Sequence, residues 1–240
     1  MTKGVLMTLS KTLLLAGAAT LVGSAALAGN IPMRASQYAV GHHVAPPVQS
    51  NYIRPSAGKC GTSFGQELST PDGLIAWNDT SGTGYNTGGG ADFTCTAKTK
   101  IKKVEVYGYD APNNPEMYNV VIYKNDPAGG SDEANDNQVV CSYTGLSGAG
   151  GGSYPTHVLT KLTLSPACKI KKAGKYWIEV QNNDSAGPWY WEMSSTLQGT
   201  QADWVDRNNI FGSGCSTLDN NEYLSNCLGY TYPDYLFVLH

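Results

Sequence analysis

Two short aromatic-rich stretches, Lys175–Gln181 and Pro188–Met193, flank the turn-forming run NNDSAG. Successive side chains of a strand point to opposite faces, so pairing the stretches around this run predicts a β-hairpin with one wholly apolar face. That face, which we assign to the core, carries Tyr176, Ile178, Val180, Trp189, Trp191 and Met193. The opposite face, which we expect to be open, carries Trp177, Glu179, Gln181, Tyr190 and Glu192.

The rest of the folded part consists of short apolar or alternating runs separated by Gly, Asn, Asp and Pro. No segment sustains a helical period over ten or more residues. This pattern predicts an all-β fold, a two-sheet β-sandwich of jelly-roll type. The run SGTGYNTGGG lacks the lysine and following helix of a phosphate-binding loop, so we interpret it as a flexible connection. Further strands are predicted at 73–78, 91–95, 102–109, 117–124, 138–143, 157–164, 201–205 and 235–239.

The N-terminal region has the features of an export signal. Lys3 and Lys11 precede an apolar run that ends in Ala26-Leu27-Ala28, the small-residue pattern of a cleavage site. We therefore predict a signal peptide at 1–28, a linker or extended arm at 29–59 and one β-sandwich domain at 60–240. No later segment is apolar for long enough to cross a bilayer, so we expect no membrane span and a secreted or periplasmic protein.

The cysteines indicate a disulfide-stapled fold. An even count in an exported chain is typical of disulfides, and the absence of any CxxC pair argues against zinc. Many pairings of six cysteines are possible, and we favour joining nearest neighbours. The favoured pairs are Cys60 with Cys95, Cys141 with Cys168, and Cys215 with Cys227.

The charge is mildly acidic, with a formal net charge of −3 that becomes more negative when the leader and its two lysines are removed. This balance argues against nucleic acid as the main partner. Two lysine clusters are either a basic patch or solvated strand ends, and the second is the ordinary explanation. They are Lys98, Lys100, Lys102 and Lys103, and Lys169, Lys171 and Lys172. The oligomeric state is left open.

Several runs together resemble a recurrent β-sandwich domain of exported bacterial proteins. They are ADFTC, IKKVEVYGYD, YNVVIYKND, VVCSYTGL, GKYWIEVQ, PWYWEM and PDYLFVL, spread over Gly73–Leu239. The resemblance implies an exported β-sandwich found alone or at the ends of larger secreted proteins. It implies no assigned activity and supplies no catalytic motif.

The open face of the predicted hairpin is the candidate site. Trp177 and Tyr190 offer rings for stacking on a sugar, and the carboxylates and amide beside them, Glu179, Glu192 and Gln181, offer partners for hydroxyls. We therefore expect an exported, non-catalytic module that binds carbohydrate or a cell-surface glycan. Two alternatives remain: a structural or surface-interaction protein in which Trp177 is packing, and a glycoside-cleaving enzyme that uses Glu179 and Glu192.

No cofactor is expected from these residues. The acidic stretch Asp126–Asp136 is rich in the oxygen ligands that calcium prefers, but it lacks the helix–loop–helix calcium spacing. Asn and Asp also form turns, which is the simpler interpretation of this stretch.

Overall fold

The computed structural model describes residues 40–42, 59–60, 72–110, 117–127, 133–148, 158–185, 187–194, 197, 199–218, 223–229 and 234–240. These residues form strands almost throughout, as the alternating sequence predicts. The elements are β1 (Val40–His42), β2 (Asp72–Ile75), β3 (Trp77–Asp79), β4 (Thr87–Cys95), β5 (Thr99–Asp110), β6 (Met117–Asp126), β7 (Glu133–Ser147), β8 (Val158–Ile170), β9 (Gly174–Asp184), β10 (Trp189–Ser194), β11 (Asp203–Asp206), α1 (Leu224–Leu228), β12 (Asp234–Tyr235) and β13 (Phe237–Leu239).

The strands form two sheets that face each other across one core. In the first sheet the main strands lie in the order β2-β10-β5-β8, and β1, β12 and β13 pair with β2, β10 and β5. In the second sheet the order is β4-β9-β6-β7, and β11 and β3 pair with β4 and β9. Eight main strands in these two orders give the double-sheet arrangement of a jelly roll. The predicted β-sandwich of jelly-roll type is therefore confirmed.

The predicted hairpin is wrong, although its apolar face is right. Strand β9 pairs with β4 and β6 in the second sheet, whereas β10 pairs with β2 and β5 in the first. The segment between them crosses from one sheet to the other. Alternation alone does not distinguish two strands side by side from two strands that face each other across a core, because both arrangements bury one face of each. All six residues assigned to the apolar face lie in the core.

Aromatic rings fill much of the space between the sheets. The rings of Trp191 and Tyr235 stack with their centroids 4.5 Å apart, and the rings of Trp189 and Tyr118 meet edge to face at 5.4 Å. The indole N–H of Trp191 donates to the carbonyl of Leu236 at 2.9 Å, so this buried polar group is satisfied.

The glycine-rich run that we interpreted as a flexible connection instead leads into a central strand. Strand β4 begins at Thr87 and includes Gly88, Gly89 and Gly90, all buried. A Cβ at Gly89 would lie 2.6 Å from Cζ of Tyr235, well inside contact distance. Close packing, and not flexibility, therefore requires glycine at Gly88 and Gly89, which lie on opposite faces of β4.

The three disulfides join the nearest-neighbour pairs that the sequence favoured. Cys141 lies on β7 and Cys168 on β8, so this bridge links the second sheet to the first. Cys215 and Cys227 connect the segment after β11 to helix α1. The bridge between Cys60 and Cys95 instead reinforces a direct backbone contact, since these two residues also form an antiparallel β-bridge.

Removing the bridge between the sheets is expected to cost more stability than removing the short one. Replacing Cys141 and Cys168 together by alanine should lower the free energy of unfolding by about 2–5 kcal/mol. The Cys215/Cys227 pair closes 12 residues instead of 27. Its removal should cost about 0.7 kcal/mol less by loop entropy alone. Urea unfolding of both double variants measures this, and a larger loss for the short loop would contradict the expectation.

The predicted leader and most of the predicted arm lie outside the described residues. Within the arm, β1 pairs antiparallel with β2, and Val40 lies opposite Leu74 at the edge of the first sheet. Among the residues that the structure describes, no helix is long and apolar enough to span a membrane.

Candidate functional site

The outward face of β9 in the second sheet carries three of the five predicted site residues. Tyr176, Ile178 and Val180 point into the core, so the alternating residues Trp177, Glu179 and Gln181 point away from it. β-Branched and aromatic residues favour the strand here, and its neighbours β4 and β6 pair with it along most of its length. The sequence pattern therefore predicted correctly which residues of β9 face the core and which face away from it.

Trp177 nevertheless lies at the centre of a second, smaller core on that outward face. Its side chain is 0% exposed and packs with Tyr123, Ala134, Val205 and Leu218. Its indole N–H donates to Oδ1 of Asn125 at 2.8 Å. The predicted stacking platform at Trp177 is therefore wrong, because β11 and the residues after it cover this part of the sheet.

Glu179 is held by a buried ion pair beside this second core. Nη1 and Nη2 of Arg207 donate to Oε1 and Oε2 at 2.7 and 2.8 Å, and the hydroxyl of Tyr123 donates to Oε2 at 2.7 Å. Burial lowers the pKa of Arg207, but the Glu179 carboxylate outweighs it and leaves the pKa above its ordinary value. Burial and the same carboxylate raise the pKa of Tyr123. The pair is thus charge-balanced and fixed in two-pronged geometry.

The glycine run of β4 makes room for this ion pair. A Cβ at Gly88 would overlap Oε1 of Glu179 and lie 3.2 Å from Nη1 of Arg207. Any larger residue would push the carboxylate away from its partner. Gly88 is therefore a part of the site and not only of the strand.

An amide-rich cleft of about 310 Å³ opens next to the ion pair on the outer face of the second sheet. Glu179, Arg207, Tyr123 and Val121 form part of its lining. The other polar lining comes from the phenol of Tyr143, whose hydroxyl donates to the carbonyl of Pro166, and from four carboxamides and two aliphatic hydroxyls. The carboxamides and aliphatic hydroxyls belong to Asn78, Asn86, Asn119, Gln181, Ser142 and Thr144.

Hydrogen bonds fix the orientation of the central amides. Nε2 of Gln181 donates to Oδ1 of Asn86 at 2.9 Å and to the carbonyl of Thr87 at 2.7 Å. Nδ2 of Asn119 donates to Oε1 of Gln181 at 3.3 Å, and Oδ1 of Asn119 accepts from the N–H of Gly145 at 3.2 Å. Ser142 and Thr144 are exposed at the rim. The cleft thus has amides of fixed orientation at its centre and exposed hydroxyls at its edge.

Tyr190 and Glu192 lie elsewhere. Both are on β10 of the first sheet, on the side away from the core residues Trp189 and Trp191. Tyr190 stacks on Tyr109 with centroids 5.2 Å apart, and Glu192 is buried. Because Glu179 and Glu192 point away from the core on opposite sheets, both sheets separate them. The carboxylate pair of the glycoside-cleaving alternative is therefore not assembled.

Sequence reasoning found Glu179 and Gln181 but missed the rest of the cleft. Asn119 and Ser142 are on strands β6 and β7 that were predicted, at positions that alternate with core residues. Pairing of β6 with β9 brings Asn119 opposite Gln181. That register is the missing information, since outward polar residues on separate strands carry no signal until the strand order is known.

The buried carboxyl of Asp203 lies on the same face, at the start of β11. Burial raises the pKa of Asp203 well above its ordinary value, and the negative charge of Glu133 adds to this. The N–H of Ala134 opposes the shift, and Asp92 and Asp136 add to it again. Within the described parts of the chain, no three metal-ligating side chains are arranged to hold an ion. Of the candidate calcium stretch, 128–132 lie outside the described residues, and Asn135 donates to Asp126 at 2.8 Å.

The raised pKa of Asp203 predicts a stability that falls as pH rises. Its proton is bound more tightly in the folded than in the unfolded chain, so the free energy of unfolding decreases from the unfolded pKa near 4 up to the folded pKa. The slope is at most about 1.4 kcal/mol per pH unit. Asp203→Asn should therefore gain stability relative to the parent as pH rises from about 4 to 7, measured by urea unfolding at several pH values.

Asp79 provides a control, because its pKa is shifted in the opposite direction from that of Asp203. Burial raises its pKa, but hydrogen bonds from Thr83 and Ser81 outweigh this and lower the pKa to about 2. The stability it contributes is present above the unfolded pKa near 4 and is lost as pH falls from there through the folded pKa of about 2. Asp79→Asn should therefore lose stability at neutral pH. If the stability of both variants, relative to the parent, changed with pH in the same direction, the opposite pKa shifts of Asp203 and Asp79 would be contradicted.

Comparison with protein-family models, with curated proteins and with solved structures gave no match. The resemblance to a recurrent exported domain therefore stays a prediction. The fold is therefore assigned from the strand order alone, and the candidate site from the geometry of its residues alone.

Proposed function

We propose that the protein is an exported, non-catalytic module that binds a neutral carbohydrate or cell-surface glycan in the amide-rich cleft. The observation that carries the proposal is the convergence of four carboxamides and two hydroxyls on one cleft. Both N–H groups of Gln181 already donate within the protein, so this carboxamide offers a ligand the second lone pair of Oε1. The exposed hydroxyls of Ser142 and Thr144 can each donate and accept. Sugar hydroxyls need both kinds of partner, whereas an apolar ligand would leave these groups unpaired.

The electrostatics of the cleft favour an uncharged ligand. Glu179 and Arg207 neutralise each other at two contacts, and Glu179 is only 4% exposed. An anionic ligand would have to compete with Glu179 for Arg207, and a cationic ligand with Arg207 for Glu179. A neutral ligand can instead accept from the remaining N–H groups of Arg207, whose side chain is 28% exposed.

The setting in which such binding would occur is outside the cytoplasm. Three disulfides are typical of proteins in an oxidising compartment. Together with the predicted leader, they support a secreted or periplasmic module that meets glycans there.

A structural or surface-interaction role is the second candidate. All five tryptophans are buried, so within the described structure no indole is left open for stacking on a sugar ring. Glycan binding in this cleft would rest on hydrogen bonds, whereas a structural role needs no ligand.

The experiment is a binding screen with a blocked cleft. The purified protein is tested by microscale thermophoresis against cello-, malto-, xylo- and chito-oligosaccharides, with released sugar measured in parallel. Binding without release is expected. Ser142→Ala and Thr144→Ala should each weaken it about fivefold, since each removes one hydrogen bond of about 1 kcal/mol.

Ser142→Trp is designed to fill the cleft and should abolish binding. Its matched control is Ser147→Trp, because Ser147 is exposed on the same strand but does not line the cleft. An equal loss of sugar binding in both variants, or sugar binding unaffected by Ser142→Trp, would show that the sugar does not bind in the amide-rich cleft. Failure of every sugar to bind would leave the structural role as the better account.

A further inference from the structure

Strand pairing unites the two lysine clusters that the sequence left separate. Strands β5 and β8 are antiparallel, and Lys100 lies directly opposite Lys169. Both side chains are exposed. Like charges directly opposite each other across two strands are destabilising. A fold that keeps them there concentrates positive charge at one place on a chain whose net charge is negative.

The chain then adds further lysines as it crosses between the sheets. Strand β8 ends at Ile170 and β9 begins at Gly174, and the connecting residues Lys171 and Lys172 are exposed. Within the part of the chain that the structure describes, neither forms an ion pair, and neither does Lys169. Their charges are therefore available to a ligand.

These residues line a groove of about 540 Å³ at this end of the sandwich. Five of its lining residues are lysines, namely Lys124, Lys169, Lys171, Lys172 and Lys175, and its described lining contains no carboxylate. Lys175 is the one nearest an acid, 3.5 Å from Asp92, and Lys124 donates to the neutral amide of Gln138. Walls of one sign of charge focus the field within a groove.

We propose that this lysine groove binds an acidic polysaccharide. Lysine ammonium groups act as point charges that accept carboxylate or sulfate without fixed two-pronged geometry, which suits a flexible chain of repeated anions. The groove is less suited to single-stranded nucleic acid, which uses aromatic rings for base stacking. Its aromatic residue, Tyr176, is buried, and its hydroxyl donates to the carbonyl of Lys172. The proposal does not depend on the amide-rich cleft.

The test measures binding of the purified protein to polygalacturonate, with dextran as the neutral polymer. Wild type should bind polygalacturonate at about 50 mM NaCl and lose about tenfold in affinity at about 300 mM, because salt screens exposed charges. Dextran should show no comparable salt dependence. Replacing Lys169, Lys171 and Lys172 together by glutamine should weaken binding at least about tenfold, and replacing them by arginine should preserve it.

Two readouts separate a site from general charge attraction. Lys161→Gln is the matched control for Lys169→Gln, because Lys161 is exposed on the same strand, lies opposite Glu105 and is not a lining residue. Lys169→Gln should weaken binding without lowering the melting temperature, since it relieves the opposition to Lys100.

Equal weakening by Lys161→Gln would overturn the proposal, and so would the absence of salt-sensitive binding in wild type. Tighter binding to single-stranded DNA than to polygalacturonate would overturn the choice of partner. The variant Ser142→Trp, which blocks the amide-rich cleft, should leave polygalacturonate binding unchanged. The experiments can therefore contradict the lysine groove and the amide-rich cleft independently of each other.

Discussion

Trp177→Ala is expected to lower the free energy of unfolding by about 3–5 kcal/mol, the range for a fully buried large aromatic residue. The ring is 0% exposed in the second core, although it lies on the outward face of β9. Truncation removes its contacts with Val205 and Leu218 and leaves Oδ1 of Asn125 without the indole N–H. The segment that covers the sheet would then lose its main anchor.

Trp191→Ala is the matched comparison, since Trp191 is equally buried but lies between the two sheets. Both variants should lose similar amounts of stability in urea unfolding monitored by circular dichroism. A loss below about 1 kcal/mol for Trp177→Ala, in the range of a surface substitution, would show that the outward face is open. The Trp177 platform would then become a candidate site again.

Arg207→Met is expected to cost about 3 kcal/mol, because it leaves the Glu179 carboxylate buried without its positive partner. Methionine retains the apolar stem, so the loss reports the charge and not the packing. Tyr123 still donates one hydrogen bond to Glu179, which limits the penalty.

The control is the double variant Glu179→Gln/Arg207→Met. An uncharged amide still accepts the Tyr123 hydroxyl, so the double variant should be more stable than Arg207→Met alone. Urea unfolding of the parent, both single variants and the double variant gives the coupling energy. Additive losses would mean that the ion pair contributes no coupling to the fold, contrary to the geometry described above.

Local alternation was sufficient to predict much of the fold. It sorted Ile178 and Trp191 into the core, because the side-chain period of a strand is independent of which strand lies beside it. Nearest-neighbour pairing of the cysteines also matched, with loops of 12 to 35 residues.

The candidate site was less predictable because it depends on non-local pairing. Alternation identifies the outward face at Trp177 but not what covers it, and the cover comes from Val205 and Leu218. Arg207 reaches Glu179 from 28 residues away, with no motif to connect them. Gly88 was interpreted as loop because its packing reason, the buried carboxylate above it, exists only after folding.

The central claim, that a neutral glycan binds in the amide-rich cleft, is tested most directly by ¹⁵N NMR of the side-chain amides. The protein is titrated with the same neutral oligosaccharides, and the NH₂ signals are followed. The account predicts that the signals of Asn119 and Gln181 shift and saturate together, while that of Asn137, exposed on β7 and not a lining residue, stays in place. Saturating shifts confined to other residues, or no shifts at Asn119 and Gln181 with any of the sugars, would contradict it.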